Sequence, residues 1–177
     1  MKTLILGGAR SGKSRLAEST AAASGCQVIV VATATAGDAE MRERINAHRA
    51  RRPPEWGVVE EPLALASTLA AHARSGRCLV VDCLTLWLSN LLLHPCANRW
   101  PRESAALLEA LRDAAGDIVL VSNETGMGVV PMGELTRRFC DEAGWLHQEL
   151  AALCDRVVLT VAGLPLTLKG EPWNPLS

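Results

Sequence analysis

Lysine is the scarcest of the charged residues in this chain. Of its 18 basic residues only three are Lys (Lys2, Lys13 and Lys169) and fifteen are Arg, set against 19 acidic residues, so the formal net charge is −1. With no excess of either sign, the chain is unsuited to wrapping nucleic acid through bulk charge or to a polybasic membrane-surface role. Its six cysteines contain no CxxC pair and no Cys/His grouping with zinc-finger spacing, and they are too few for a disulfide scaffold. Most sit in or beside apolar segments, which reads as reduced packing residues of a cytosolic protein. Long apolar runs are missing too. Leu84 to Leu93 is broken by Thr85, Ser89 and Asn90 and is too short to span a bilayer, and Met1–Gly8 is too short for a signal peptide. A soluble, cytoplasmic protein without membrane insertion is the expectation.

What the chain does have is apolar content. At 49% of 177 residues it can fill the core of one ordinary domain. Thr3–Leu6, Gln27–Ala32, Cys78–Asp82, Asp117–Ser122 and Arg156–Val161 are short apolar runs, the pattern of parallel strands covered on both faces. Val58-Val59 and Leu164–Leu168 are shorter strand candidates. Helices are expected over Ser14–Ala23, from an Asp38 cap to about Arg51, over Leu63–Ala73, around Leu107, Leu108 and Leu111, and over Glu134–Leu153. Strands alternating with helices imply an α/β fold, a mostly parallel sheet with helices on both faces. Residues 1–170 read as one domain, His94–Pro101 as a surface loop and 171–177 as a loosely attached tail.

The chemistry begins at Gly7-Gly8-Ala9-Arg10-Ser11-Gly12-Lys13-Ser14, which fits G-x-x-x-x-G-K-[ST] at every defined position between an expected strand and an expected helix. The glycines let the backbone wrap a polyphosphate, so that successive N–H groups and the helix N-terminus point at it. Lys13 can reach the β- and γ-phosphates, and the Ser14 hydroxyl can ligate Mg²⁺. Asp82 ends the run LVVD; it can hold Mg²⁺ directly or through water, take a proton from a substrate hydroxyl, or cap a helix starting near Thr85. A regulatory GTPase needs D-x-x-G and N-K-x-D, yet Asp82 is followed by Cys83-Leu84-Thr85 and Asn123 by Glu124-Thr125-Gly126. A small-molecule kinase or transferase remains, with a non-catalytic nucleotide-dependent binding module disfavoured.

A second constellation lies in DAEMRERINAHRARRP. Met41, Ile45 and His48 share one helical face, so His48 is either a packing residue or, beside its Arg neighbours, a neutral nucleophile. Five Arg fall between residues 42 and 52 with only Glu43 as a counter-charge, a local balance of 5 − 1 = +4. Such a cluster serves phosphate recognition or is simply a solvated face. Asn123–Pro131 is either a loop bordering the strand-end crevice or a glycine-rich turn with Glu124 as a cap.

Gly7–Ser14, Arg44-Ile45-x-x-His48-Arg49-x-x-Arg52-Pro53 with Trp56, and Asn123-Glu124-Thr125-Gly126-Met127-Gly128-Val129-Val130-Pro131 together resemble the bifunctional adenosylcobinamide kinase / adenosylcobinamide-phosphate guanylyltransferase family. The resemblance runs from Met1 to about Lys169. It departs at His147-Gln148, where the family pattern has Asn before Gln. It implies that the chain phosphorylates the aminopropanol hydroxyl of adenosylcobinamide with ATP or GTP. It further implies transfer of GMP from GTP to that phosphate through a guanylyl-histidine at His48, a step in building the nucleotide loop of coenzyme B12. The same resemblance implies nucleotide contacts at Gly7, Gly8, Ala9, Arg10, Ser11, Gly12, Lys13 and Ser14, at Ala32, Thr33 and Ala34, at Arg49, Ala50, Arg51 and Arg52, and at Glu60 and Asp82. Lys13 and Asp82 join His48 as expected catalytic groups, Mg²⁺ is the expected ion at Ser14 and Asp82, and a homotrimer is implied. The competing expectation is a P-loop kinase of another small alcohol that lacks the guanylyl step.

Overall fold

The computed structural model describes residues 1–172 except Ala36 and Asp38, and it leaves out the side chains of Glu40, Met41, Arg44, His48 and Arg51. The elements run β1 (Lys2–Gly7), α1 (Lys13–Ala23), β2 (Gln27–Ala32), α2 (Ala39–Arg51), β3 (Gly57–Glu60), α3 (Leu65–His72) and β4 (Arg77–Asp82). They continue α4 (Leu84–Leu92), α5 (Arg99–Asp113), β5 (Asp117–Asn123), α6 (Glu134–Leu153), β6 (Arg156–Val161) and β7 (Leu164–Lys169). Seven strands form one sheet in the order β3-β2-β4-β5-β1-β6-β7, all parallel except β7, which runs antiparallel to β6. The expected α/β architecture is what the chain adopts.

The period-two geometry of the strands divides the core. Leu4, Leu6, Val31, Leu79, Val81, Ile118, Leu120 and Val157 pack on one face against α3 to α6, with Trp87 at the centre of that cluster. Ile5, Val28, Val30, Val80, Val119 and Val121 turn to the opposite face, where Ala17 and Ala21 of α1 cover them. Two indoles lock the thicker layer. Trp87 and Trp100 meet edge to face at 5.5 Å, and their Nε1 groups donate to the Leu63 carbonyl and to Glu142, each at 2.7 Å. Among the described residues no helix is long and apolar enough to cross a membrane.

Two expectations are corrected. Arg99–Pro101, read as loop, forms the first turn of α5; Pro101 is its third residue, where the ring costs no helical hydrogen bond. Asp82 does not cap α4. Cys83 stands at that N-cap, and no side-chain cap bond is made. The Asp38 cap and the end of the tail, residues 173–177, lie outside the described residues.

Candidate active site

Glu60, Ala32, Asp82, Asn123 and Gly7 end five parallel strands at one edge of the sheet. In an open α/β sheet, loops diverge at that edge and leave a crevice. Here it is a cleft of about 600 Å³.

The loop between β1 and α1 forms its floor. Two close approaches show why glycine is required. A Cβ on Gly7 would strike Ser11 Oγ and lie 2.6 Å from the Thr160 carbonyl oxygen; one on Gly12, whose φ is +100°, would lie 3.1 Å from Gly163 Cα. The β6–β7 turn braces the loop through Gly163 N–H, which donates to the Ser11 carbonyl at 2.8 Å. Arg10 is held at φ +56°, a left-handed conformation that costs a side-chain-bearing residue energy and marks a constrained turn. Lys13 opens α1 and rests on the loop itself, Nζ donating to the Gly8 carbonyl at 2.8 Å. Burial lowers its pKa below the ordinary lysine value, with nearby Cys83 and Asp82 opposing that shift. A polyphosphate would add negative charge beside this buried ammonium and offset its desolvation.

The opposite wall is α2. Arg42, Ile45, Asn46, Arg49 and Arg52 all line the cleft, the three- and four-residue spacing of one helical face. Position 48 falls at the flank of that face by helical periodicity, beside Ile45 and Arg52; the His48 side chain lies outside the described residues. Arg49 pairs with Glu60 at the end of β3. Among the described residues, the charged ones that line the cleft are Lys13, Arg10, Arg15, Arg42, Arg49 and Arg52 against Glu60 and Asp82, six cationic side chains to two carboxylates. A second cavity of about 440 Å³ shares Arg49, Arg52 and Glu60 with the first and adds Pro53, Pro54, Trp56 and Val58.

Most residues expected at the site meet here. Ala9 to Ser14, Ala32, Ala34, Arg49, Arg52, Glu60 and Asp82 line the one cleft. Gly7, Gly8 and Ala50 are not among its lining residues, and the side chain of Arg51 lies outside the described residues. Thr33 turns beneath the floor instead. It is fully buried, and its hydroxyl brackets the Cys83 peptide, donating to the carbonyl at 2.7 Å and accepting from the N–H at 2.9 Å. Arg15, Cys83, Leu86 and Asn46 line the cleft without having been expected there. For Asn46 the helical spacing from Arg42 and Arg49 was the available signal; Cys83 and Leu86 arrive only because α4 starts directly under the cleft.

A strand–loop–helix phosphate cradle, an acid two strands away and an arginine-lined helix across the opening define a P-loop nucleotide enzyme. A family model described as cobinamide kinase / cobinamide phosphate guanyltransferase matches residues 3–168, and the chain belongs to that family. It is 65% identical over 172 residues to the bifunctional adenosylcobalamin biosynthesis protein CobP of Pseudomonas aeruginosa, covering 97% of this chain and 99% of that one. It is 36% identical to the CobU protein of the same description from Escherichia coli (strain K12), covering 96% of this chain and 100% of the relative. A solved structure of the RadB recombinase shares the fold, with a TM-score of 0.53 at 18% identity over 89% of this chain and 73% of that one.

Proposed function

We propose that both activities of the family, cobinamide kinase and cobinamide-phosphate guanylyltransferase, run in this one cleft, with His48 as the covalent carrier of GMP. The observation that carries this reading is that the phosphate loop, Asp82 and the arginine face of α2 line a single cavity. The substrates are ATP or GTP with adenosylcobinamide, and then GTP with adenosylcobinamide phosphate. Family membership favours this over a kinase of another small alcohol.

In the kinase step the aminopropanol oxygen attacks the γ-phosphorus and the bond to the β-phosphate oxygen breaks. Asp82 takes the hydroxyl proton, and Lys13 offsets charge on the transferred group and the leaving diphosphate. In the second reaction an uncharged imidazole nitrogen of His48 attacks the α-phosphorus of GTP and pyrophosphate leaves. The phosphate of the acceptor then attacks that phosphorus, breaking the P–N bond and releasing His48. Each displacement is in line, so pyrophosphate departs opposite His48 and the acceptor phosphate enters from that same side. The loop Gly7–Ser14 therefore serves three phosphate groups in turn. Arg49 and Arg52 steady the α-phosphoryl group.

Ser14 and Asp82 both line the cleft, and a hydroxyl with a carboxylate is a hard-oxygen set that would fit Mg²⁺ completed by phosphate oxygens and water. When bound, the ion draws charge from the phosphate oxygens. A homotrimer is the assembly we propose.

Incubation with α-labelled GTP followed by denaturation tests the carrier. Acid-labile label retained on the wild-type protein and absent from His48→Ala is expected; an unlabelled wild type would overturn the guanylyl-histidine. The same variant should keep phosphoryl transfer to cobinamide within a few-fold, since that step uses no nucleophilic histidine. Because the imidazole must be neutral, guanylyl transfer falls as acid pH protonates His48.

A further inference from the structure

The floor of the cleft is held by a chain of buried hydrogen bonds that joins the ends of β2, β4 and β5. Asn90 Nδ2 donates to the carbonyls of Thr33 (2.9 Å) and Pro62 (3.1 Å), and Thr33 brackets the Cys83 peptide. Cys83 Sγ lies 3.2 Å from Thr85 Oγ1, and Thr85, only 4% exposed in the first turn of α4, meets Asn123. Asn123 Nδ2 donates to Thr85 Oγ1 at 2.9 Å, and the Asn123 backbone N–H approaches the same oxygen at 3.4 Å.

Asn123 ends β5, the strand that lies between β4, which carries Asp82, and β1, which carries the phosphate loop. It stands in register with Gly7, and its side chain lines the cleft. A threonine hydroxyl has two lone pairs and one proton. Here Thr85 Oγ1 accepts the side-chain N–H of Asn123, is approached by its backbone N–H, and shares a hydrogen bond with Cys83 Sγ. With its amide nitrogen on Thr85, this residue of the cleft lining has its carboxamide oxygen as the group to offer a ligand, the end that a cluster of cationic side chains favours. A neutral acceptor is of no use to a phosphate oxygen, which is itself an acceptor. It suits a hydroxyl.

We infer that Asn123 Oδ1 is the acceptor that orients the alcohol O–H of the phosphoryl acceptor beside Asp82, and that Thr85 is the positioning residue that fixes the carboxamide. This rests on the kinase reading above. The alcohol oxygen forms the bond to the γ-phosphorus, the bond from phosphorus to the nucleoside diphosphate breaks, and the hydroxyl proton passes to Asp82. Asn123 carries no proton in the step. It sets the angle of attack, an effect that by general experience is worth about tenfold to a hundredfold in rate.

Steady-state phosphorylation of adenosylcobinamide by the full chain, with ATP affinity measured separately by calorimetry on a non-hydrolysable analogue, tests this. Asn123→Ala should lower kcat about tenfold or more and raise the KM for cobinamide, with ATP-analogue affinity within about twofold of wild type. Thr85→Val should move the same parameters in the same direction, and Thr85→Ser should restore them, a rescue that loss of packing alone would not give. Melting curves on all three variants confirm the folded state. An Asn123→Ala enzyme with unchanged kinase kcat, or one whose loss appears as weakened ATP-analogue binding, overturns the assignment. Failure of the wild type to phosphorylate cobinamide would remove the kinase reading itself and is seen before any variant is made.

Discussion

His147 shows what a single side chain can impose. It is buried in α6, its Nε2 lies 2.7 Å from Ser122 Oγ at the end of β5, and its Nδ1 lies 3.9 Å from Glu124 Oε2. Burial lowers its pKa, and Glu124 opposes this only in part. The folded state therefore holds the ring neutral where the unfolded chain, with an ordinary value near 6.5, begins to bind a proton. Stability from this group is complete above about pH 6.5 and is lost as pH falls through that value, with a slope of at most about 1.4 kcal/mol per pH unit. Urea denaturation from pH 7.5 to 5.5 should show this slope in wild type and a shallower one in His147→Asn; equal slopes would assign the acid sensitivity elsewhere. The sequence marked position 147 as a departure from the family pattern but gave no hint of its contacts, which come from an alignment of α6 with β5. Thr33 is the opposite case: the sequence places it just after β2, and only the structure shows that its hydroxyl is spent on the Cys83 peptide. Lys13, Ser14 and Asp82 were legible because a contiguous loop and a strand end fix their placement locally.

At the scale of the element, the β1–α1 turn shows that two adjacent glycines need not be equivalent. A Cβ on Gly7 collides with the Thr160 carbonyl, whereas one on Gly8 meets nothing within 4 Å. Gly7→Ala should cost about 2 kcal/mol or more, because backbone has to shift, while Gly8→Ala should stay within about 0.5 kcal/mol. For a chain of this size that separates the two melting temperatures by roughly 4 °C or more, which calorimetry resolves. Similar melting temperatures would show that β6 yields to the added methyl. The motif pattern defines Gly7 and leaves Gly8 open, and the packing of β6 against β1 supplies the physical reason. The strands were legible from their apolar runs because both faces are covered. The start of α5 was not, since Pro101 and the polar residues before it read as loop until Trp100 is seen packed on Trp87.

For the whole molecule, the uneven dressing of the sheet matters most. Four helices cover one face. At the β7 edge Leu164, Leu166 and Leu168 are each more than half exposed, and Met127, Val129, Val130 and Met132 form a second exposed apolar stretch beyond β5. Exposed apolar surface on this scale marks a contact face, in keeping with the homotrimer proposed above. Light scattering on the eluted protein should give about three times the 18.9 kDa chain mass; a monomer across the micromolar range would refute the trimer. Leu164–Leu168 could not be recognised in advance as surface, because it looks like any other buried run until its neighbours are known, whereas Val129-Val130 lies in a segment that already reads as a loop or a turn.

The placement of β5 between β1 and β4 also acts as a gauge. Neighbouring strands stand about 4.8 Å apart, so a strand inserted between the phosphate loop and Asp82 sets their supporting backbones about 9.5 Å apart. With β1 beside β4, the phosphate loop and the acid would spring from backbones only one strand spacing apart. At double spacing there is width for a phosphoryl group in flight, with the oxygen it leaves on one side and the oxygen it joins on the other. The order of strands, a property of topology alone, thus sets the length of the reaction coordinate that the cleft can accommodate.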